Sequence, residues 1–180
     1  ASSAPGDGPA RTAREWAAGH GLVAAINSSM FGEDLRTAVS MLAHYDPESE
    51  DNTPAAHQHK ACRLLGQISG VIAAFERIRR GEEPVKPRTD LDHAANFLWM
   101  LTGEDPEPLA AKALDQYLLL LAEHELNAST FTARVAASTL TDLHSCVTAA
   151  IGSLRGPLHG GANEKAMEMI ERYASVDEAV

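Results

Sequence analysis

Residues 54–80, PAAHQHKACRLLGQISGVIAAFERIRR, predict one long α-helix around which the fold is built. Pro54 suits the first turn of a helix, and Gly81, directly after the stretch, suits the position that follows a helix end. Apolar residues recur between these limits at a spacing of three and four, which predicts a wide apolar stripe. The stripe consists of Ala61, Leu64, Leu65, Ile68, Val71, Ile72, Phe75 and Ile78. Such a stripe requires further helices to cover it.

The residues that follow predict an extended connector and then a short helix. Pro84 and Pro87 within residues 82–88 disfavour a helix there. Thr89 or Asp90 can cap a helix that Gly103 ends. Upstream of the long helix, apolar residues recur at helical spacing from residue 32 onward, until the sequence Tyr-Asp-Pro at 45–47 stops the run.

The C-terminal half also shows only helical patterns. Pro108 opens a helix to residue 123, in which Tyr117–Leu121 is apolar on every side, and this predicts a central position. Stretches 128–140 and 142–154 are rich in small residues, and 162–173 predicts a last helix. No segment alternates as a strand does, so the predicted fold class is all-α. We expect residues 1–30 to be a flexible or weakly helical segment and residues 31–180 to form part of one large helical domain.

Composition limits the partners of the chain. The 180 residues carry 15 basic and 25 acidic side chains, a net charge of −10, which disfavours nucleic acid and anionic membranes. No apolar run reaches the roughly 18 residues that span a bilayer. The two cysteines, Cys62 and Cys146, are expected to be buried free thiols in a reducing cytoplasm rather than a disulfide or a metal site. His57 and His59 lie two apart, which does not place them on one helix face, so no metal site is expected.

Two histidine motifs carry the functional hypotheses. In His124-Glu-Leu-Asn127-Ala-Ser129-Thr130 the histidine follows a helix end, where an imidazolium suits a carboxylate ligand. The structural alternative is a capping histidine with Asn127 as an Asx-type cap. In Gly156-Pro-Leu-His159-Gly160-Gly161-Ala-Asn163-Glu, the histidine precedes a predicted helix, and the glycines let a ligand approach the backbone. A neutral His159 can donate a hydrogen bond to a developing oxyanion, and the alternative is an incidental histidine in a Gly-Gly turn.

Both motifs, at this interval, resemble the citrate synthase family, including the related 2-methylcitrate synthases. Residues 36–40, 77–81 and 94–98 resemble the same family in the same order, so the resemblance covers most of the chain from about Phe31. It implies a mostly helical, dimeric domain that condenses an acyl-CoA with a 2-oxo acid. By motif match, His159 resembles the histidine that stabilises the enol of acetyl-CoA, and His124 resembles one that binds oxaloacetate. Supporting roles fall to Asn127, Ser129, Gly160, Gly161 and Asn163.

The chain also departs from the family pattern. Family members are roughly twice as long, and the Gly-His-Arg motif, the aspartate base and the later arginines of the family are not found in these 180 residues. Asp142, Glu164 and Asp177 are available as substitute bases, but each also suits an ordinary helix-surface or first-turn carboxylate, which we favour.

The predicted function is therefore condensation of acetyl-CoA with oxaloacetate to citrate and CoA in the tricarboxylic acid cycle, by an acyltransferase that uses no metal and no cofactor. This chain would carry part of the active site, be inactive alone, and form a homodimer, with a second chain supplying missing residues if one exists. The alternatives are a non-catalytic subunit or interaction protein, and a 2-methylcitrate synthase that uses propionyl-CoA.

Overall fold

The computed structural model describes residues 31–123 and 125–160. Helices joined by loops account for these residues, and no β-strand occurs among them, which confirms the all-α prediction. The helices are α1 (Phe31–Leu42), α2 (Pro54–Arg79), α3 (His93–Thr102), α4 (Pro108–Leu121), α5 (Ala128–Ala137) and α6 (Leu143–Leu154), with one 3-10 turn, Ala43–Tyr45, directly after α1. None of these helices is long and apolar enough to cross a membrane.

Helix α2 begins and ends where the sequence predicts. The Thr53 side chain accepts a hydrogen bond from the Ala56 amide, and Pro54 occupies the first turn. The helix ends at Arg79, and Gly81 follows with a φ of 76°, a left-handed conformation that glycine adopts without a steric penalty. Both ends were predictable because proline and glycine each act through the local backbone.

The buried face of α2 differs from the predicted apolar stripe. Leu64 is buried, whereas Leu65 and Ile78 are more than half exposed, and the charged Lys60 and Glu76 are buried instead. These two charges are tolerated in the interior because each has close partners. The Lys60 ammonium donates to two backbone carbonyls of the 49–51 segment, and the Glu76 carboxylate accepts hydrogen bonds from Arg79 and Arg80 at the C-terminal end of α2.

Two apolar clusters hold the helices together. The first joins α2, α3 and α4 through Ala73, Ala94, Leu98, Met100, Leu101, Ala110 and Leu114. The second joins α1 and α2 through Leu35, Val39 and Leu64, and three partly buried residues of α6 pack against it. Helix α5 makes its main contact with α6. Helix α6 therefore connects α5 to the core, and α5 itself contributes no buried residue.

The N-cap of α3 is Asp92, not the predicted Thr89 or Asp90. The Asp92 carboxylate accepts from the Ala95 amide at 2.9 Å. Asp90 is bound instead to Arg88, whose guanidinium donates to it at 2.6 Å. The prediction failed because neighbouring residues of equal capping tendency are distinguished only by their tertiary partners.

The leucine run of α4 is exposed, which corrects its predicted central position. Leu119 is 67% and Leu120 is 79% exposed, whereas Ala110 and Leu114 of the same helix are buried. Only the N-terminal part of α4 packs on α3, and within the described ranges no element covers its last two turns. Cys62 is also exposed, contrary to expectation, while Cys146 is buried and its burial raises the pKa of its thiol.

Candidate active site

The two sequence motifs meet where α5 begins and the loop after α6 ends. Ser129 Oγ lies 2.7 Å from His159 Nε2, a hydrogen bond between residues 30 positions apart in the chain. Both side chains are half-buried. Among the described residues, His159 Nδ1 makes no hydrogen bond. The contact with Ser129 therefore holds the ring at Nε2.

Ser129 owes its position to the way α5 starts. Asn127 is the N-cap of the helix, and its side-chain oxygen accepts from the Thr130 amide at 2.7 Å. The Asx-type cap that we considered at this position is therefore present. Because the cap fixes the first turn, Ser129 lies at its second position and faces the loop that carries His159. Asn127 supports the site through the backbone and makes no hydrogen bond to His159.

His159 lies in a tight turn directly after α6. The helix ends at Leu154, and the His159 amide donates to the Gly156 carbonyl at 2.9 Å. At Gly160 the backbone is so close to α6 that a Cβ would lie 2.1 Å from the Leu154 carbonyl oxygen. Gly160 is therefore required for close packing of the turn on the helix end, a more specific role than the ligand access that the sequence suggested.

Asp142 is a capping residue in this structure rather than a general base. Its side chain accepts from both the Ser145 amide and the Ser145 hydroxyl, which starts α6. Burial opposes its charge, but these hydrogen bonds and the nearby His144 outweigh burial and lower the pKa of Asp142. A carboxylate with a lowered pKa is a weaker proton acceptor, which agrees with the structural interpretation that we favoured.

Three predicted site residues lie outside the described residues, namely His124, Gly161 and Asn163, as do the candidate bases Glu164 and Asp177. Their predicted roles stay predictions. Among the described residues, no three His, Cys, Asp or Glu side chains are grouped closely enough to hold a metal ion. His59 instead lies 3.2 Å from Glu48, an exposed contact.

Two contacts of the site loop escaped the sequence reasoning. One is the Leu154 carbonyl that excludes a side chain at residue 160, and the other is the ion pair between Arg155 and Glu33 at 2.6 Å. The ion pair connects the start of the loop to the first turn of α1. No local signal identifies either contact, because a backbone carbonyl has no sequence signature and Glu33 lies more than a hundred residues away.

A groove of about 720 Å³ lies elsewhere, between α2 and the connector at 84–87. Cys62, Arg63, Lys86 and His93 are among its lining residues, but Ser129 and His159 are not. The groove is therefore separate from the histidine site.

These observations define an all-α protein with a histidine site whose imidazole is fixed by a serine from a neighbouring helix start. Residues 20–180 match the family model described as citrate synthase, C-terminal domain. The chain belongs to the citrate synthase family.

Known relatives agree with this assignment. The chain is 52% identical over 145 residues to a protein named citrate synthase 2 of Bacillus subtilis. The matched residues make up 81% of this chain and 39% of that relative. It is 45% identical over 138 residues to the citrate/2-methylcitrate synthase of the same organism, covering 77% of this chain and 37% of the relative. The crystal structure of citrate synthase from Pyrobaculum aerophilum superposes with a TM-score of 0.64 at 40% identity, over 84% of this chain and 41% of that one. The chain thus spans about two fifths of the length of these proteins.

Proposed function

We propose that this chain contributes the enol-stabilising part of an active site that condenses acetyl-CoA with oxaloacetate to form citrate and CoA. The observation that carries the proposal is the 2.7 Å contact between Ser129 Oγ and His159 Nε2. It joins the two motifs that match the family and leaves one imidazole nitrogen available for a substrate oxygen. Citrate synthases among the relatives and solved structures support the same reaction class.

The proposed chemistry uses the tautomer in which the Ser129 hydroxyl donates to the imidazole. When the Ser129 hydroxyl donates to Nε2, the ring proton resides on Nδ1. Nδ1–H then donates to the thioester carbonyl, where negative charge develops as a proton leaves the adjacent methyl carbon. The resulting enol carbon attacks the ketone carbon of oxaloacetate and forms the new carbon–carbon bond. Water then cleaves the thioester and releases CoA as a thiol, so the reaction requires no oxidant or reductant.

The remaining groups of the reaction come from outside the described residues. His124 is the residue we assign to oxaloacetate binding, by motif match. The base that removes the methyl proton is not Asp142, because that carboxylate already caps α6. Since the chain covers about two fifths of its relatives, we expect negligible turnover from these 180 residues alone. Further polypeptide would have to supply the base and the second carbonyl-polarising group.

Assembly is part of the same proposal. Exposed apolar side chains of α4 and α5, including Leu119, Leu120 and Phe131, support association with a second copy or with further polypeptide. We assign the protein to the cytoplasm as a homodimer, acting in the tricarboxylic acid cycle. Sedimentation of the intact protein tests the assembly, and a monodisperse monomer would contradict it.

The test of function is CoA release by the intact protein, followed with a thiol reagent. His159→Ala should lower kcat by about 10²–10³-fold, because it removes the oxyanion donor. Ser129→Ala should lower it by about 10-fold or more, as expected for loss of a group that orients the histidine. Ser138→Ala is the matched control, because its hydroxyl donates to a backbone carbonyl at the far end of α5. Unchanged release in His159→Ala would refute the assigned role.

The same assay separates the two acyl donors. A relative named citrate/2-methylcitrate synthase makes propionyl-CoA the specific alternative substrate. A higher kcat/KM with propionyl-CoA than with acetyl-CoA would assign the protein to the 2-methylcitrate reaction. No release with either donor from the intact protein would favour the non-catalytic alternative.

A further inference from the structure

The turn at 156–160, which carries His159, is not held in place by apolar burial. Among the described residues, Ile151 is the last residue of α6 that packs against the apolar cluster of α1 and α2. Beyond it, Leu154 is exposed and Leu158 is 97% exposed. Burial of side chains therefore cannot fix the position of the turn relative to α1.

An ion pair connects the end of α6 to α1. Arg155 Nη1 lies 2.6 Å from Glu33 Oε1. Arg155 is the C-cap residue of α6, and its amide donates to the Ile151 carbonyl at 3.1 Å. Glu33 lies in the first turn of α1. The two charged side chains thus belong to the ends of two helices and hold those ends together.

Each charge also suits the helix end on which it lies. The C-terminal end of a helix carries a partial negative charge, which favours the Arg155 guanidinium, and the N-terminal end carries a partial positive charge, which favours the Glu33 carboxylate. Each side chain therefore interacts favourably with its own helix as well as with its partner. An exposed ion pair contributes little to global stability, so the importance of this one lies in what it positions.

The His159 turn packs directly on the part of α6 that this ion pair holds. At Gly160 a Cβ would lie 2.1 Å from the Leu154 carbonyl oxygen, so the backbone of the turn touches the residue before Arg155. The His159 amide donates to the carbonyl of Gly156, the residue directly after Arg155, at 2.9 Å. A displacement of Arg155 relative to α1 therefore moves the His159 ring with it.

We propose that Arg155 and Glu33 are positioning residues that fix the His159 turn against α1. The imidazole is then located by two helices, by α5 through the Ser129 hydrogen bond and by α1 through the ion pair. Arg155 and Glu33 act through the position of the imidazole rather than through contact with a substrate. Their effect on turnover rests on the proposed role of His159 in the condensation, whereas their effect on the position of the ring does not.

Turnover of the intact protein gives the first test. Arg155→Gln and Glu33→Gln should each lower kcat for CoA release by about fivefold, the upper end of what an exposed ion pair contributes, and leave KM within about twofold for both substrates. Arg155→Lys keeps the charge at the helix end and should retain kcat within about twofold of wild type. The double variant should lose no more than either single variant, because the two residues act as one pair.

Several kinetic outcomes would overturn the proposal. If the two losses multiply in the double variant, the residues do not act as a pair. An unchanged kcat in both single variants, or a raised KM with an unchanged kcat, would exclude the positioning role. Glu82→Gln is the matched control, because it breaks an ion pair with Arg77 at the end of α2 and its carboxylate is 43% exposed, compared with 57% for Glu33. It should leave kcat unchanged.

The ring signals of His159 separate the positional role from the proposed reaction. In intact protein labelled with ¹⁵N at histidine, these NMR signals are assigned by their loss in His159→Ala. Arg155→Gln and Glu33→Gln should shift them in the same direction, while Glu82→Gln should leave them in place. Unchanged signals in both variants would overturn the proposal even if the protein is active. Shifted signals, together with no CoA release by the intact wild type, would support the positional role and refute the proposed reaction.

Discussion

Helices α3 and α5 each contain ten residues, yet they differ completely in burial. Five residues of α3 are buried, whereas none of α5 is. Helix α3 is held by apolar contacts with α2 and α4. Helix α5 is held by its Asn127 cap, its contact with α6 and the hydrogen bond to His159. The comparison shows that apolar burial stabilises this chain in one place, while polar contacts of specific geometry build the candidate site in another.

The difference in burial should appear as a large difference in stability. We expect Leu101→Ala in α3 to lower the free energy of unfolding of the 180-residue chain by about 3 kcal/mol, because it leaves a cavity in a fully buried position. Val135→Ala in α5 should change it by less than about 0.5 kcal/mol, because that side chain is exposed. Urea titration of both variants measures the two values.

An equal loss from Val135→Ala would break the comparison. It would mean that α5 is covered in solution, either by residues outside 31–123 and 125–160 or by a second copy of the chain. Sedimentation of the same samples would distinguish coverage of α5 by the chain's own residues from coverage by a second copy, because only the second copy raises the measured mass.

The second prediction concerns the site loop that contacts the start of α5. Gly160→Ala places a Cβ against the Leu154 carbonyl oxygen, and because that atom belongs to the backbone, the turn has to move. A displacement of about 1 Å at His159 should lower kcat by about 100-fold in the intact protein. The expected cause is loss of the Ser129 contact, so the same substitution should alter the His159 ring signals in an NMR spectrum.

Gly66→Ala is the matched glycine control, because the space around Gly66 in α2 is open to 4 Å. It should leave activity unchanged and raise stability by about 0.5–1 kcal/mol, the usual gain when alanine replaces glycine inside a helix. Full activity in Gly160→Ala would show that the turn is not a constraint on the site.

Local backbone signals made much of the fold predictable. The ends of α2 follow from Pro54 and Gly81, and the end of α3 follows from Gly103, whose φ of 76° matches its predicted role. In each case the physical cause lies within a few residues of the signal, so the sequence contains the necessary information.

Tertiary partners were not predictable in the same way. The burial of Lys60 depends on the Ser49 and Asp51 carbonyls, and the exposure of Leu120 depends on what lies beyond the described residues. The motifs identified Ser129 and His159 as site residues through a family resemblance, but no rule of spacing would have placed them 2.7 Å apart. Contacts over 30 positions are decided by how α5 and α6 pack, and that requires the structure.

The last prediction uses pH to distinguish the apolar core around α3 from the polar contacts at the start of α6. The expected change in stability is the smallest of those predicted. The pKa of Asp142 at the start of α6 is lowered in the folded protein, because the hydrogen bonds from Ser145 and the charge of His144 outweigh burial. The stabilisation from this charge is present above the ordinary aspartate pKa of about 4 and is lost as the pH falls through the lower folded-state pKa. Asp142→Asn keeps an equivalent N-cap but removes the titration.

The stability difference between wild type and Asp142→Asn should therefore be largest near pH 6 and shrink toward pH 3, measured as melting temperatures. The difference in melting temperature between wild type and Leu101→Ala should stay constant wherever both proteins remain folded between pH 6 and pH 3. That substitution removes no titrating group. If the difference in melting temperature for Asp142→Asn were also constant, the charge of Asp142 would add nothing to the stability beyond its hydrogen bonds as an N-cap. The start of α6 would then be held by the hydrogen bonds from Ser145 to Asp142 rather than by the charge of the carboxylate.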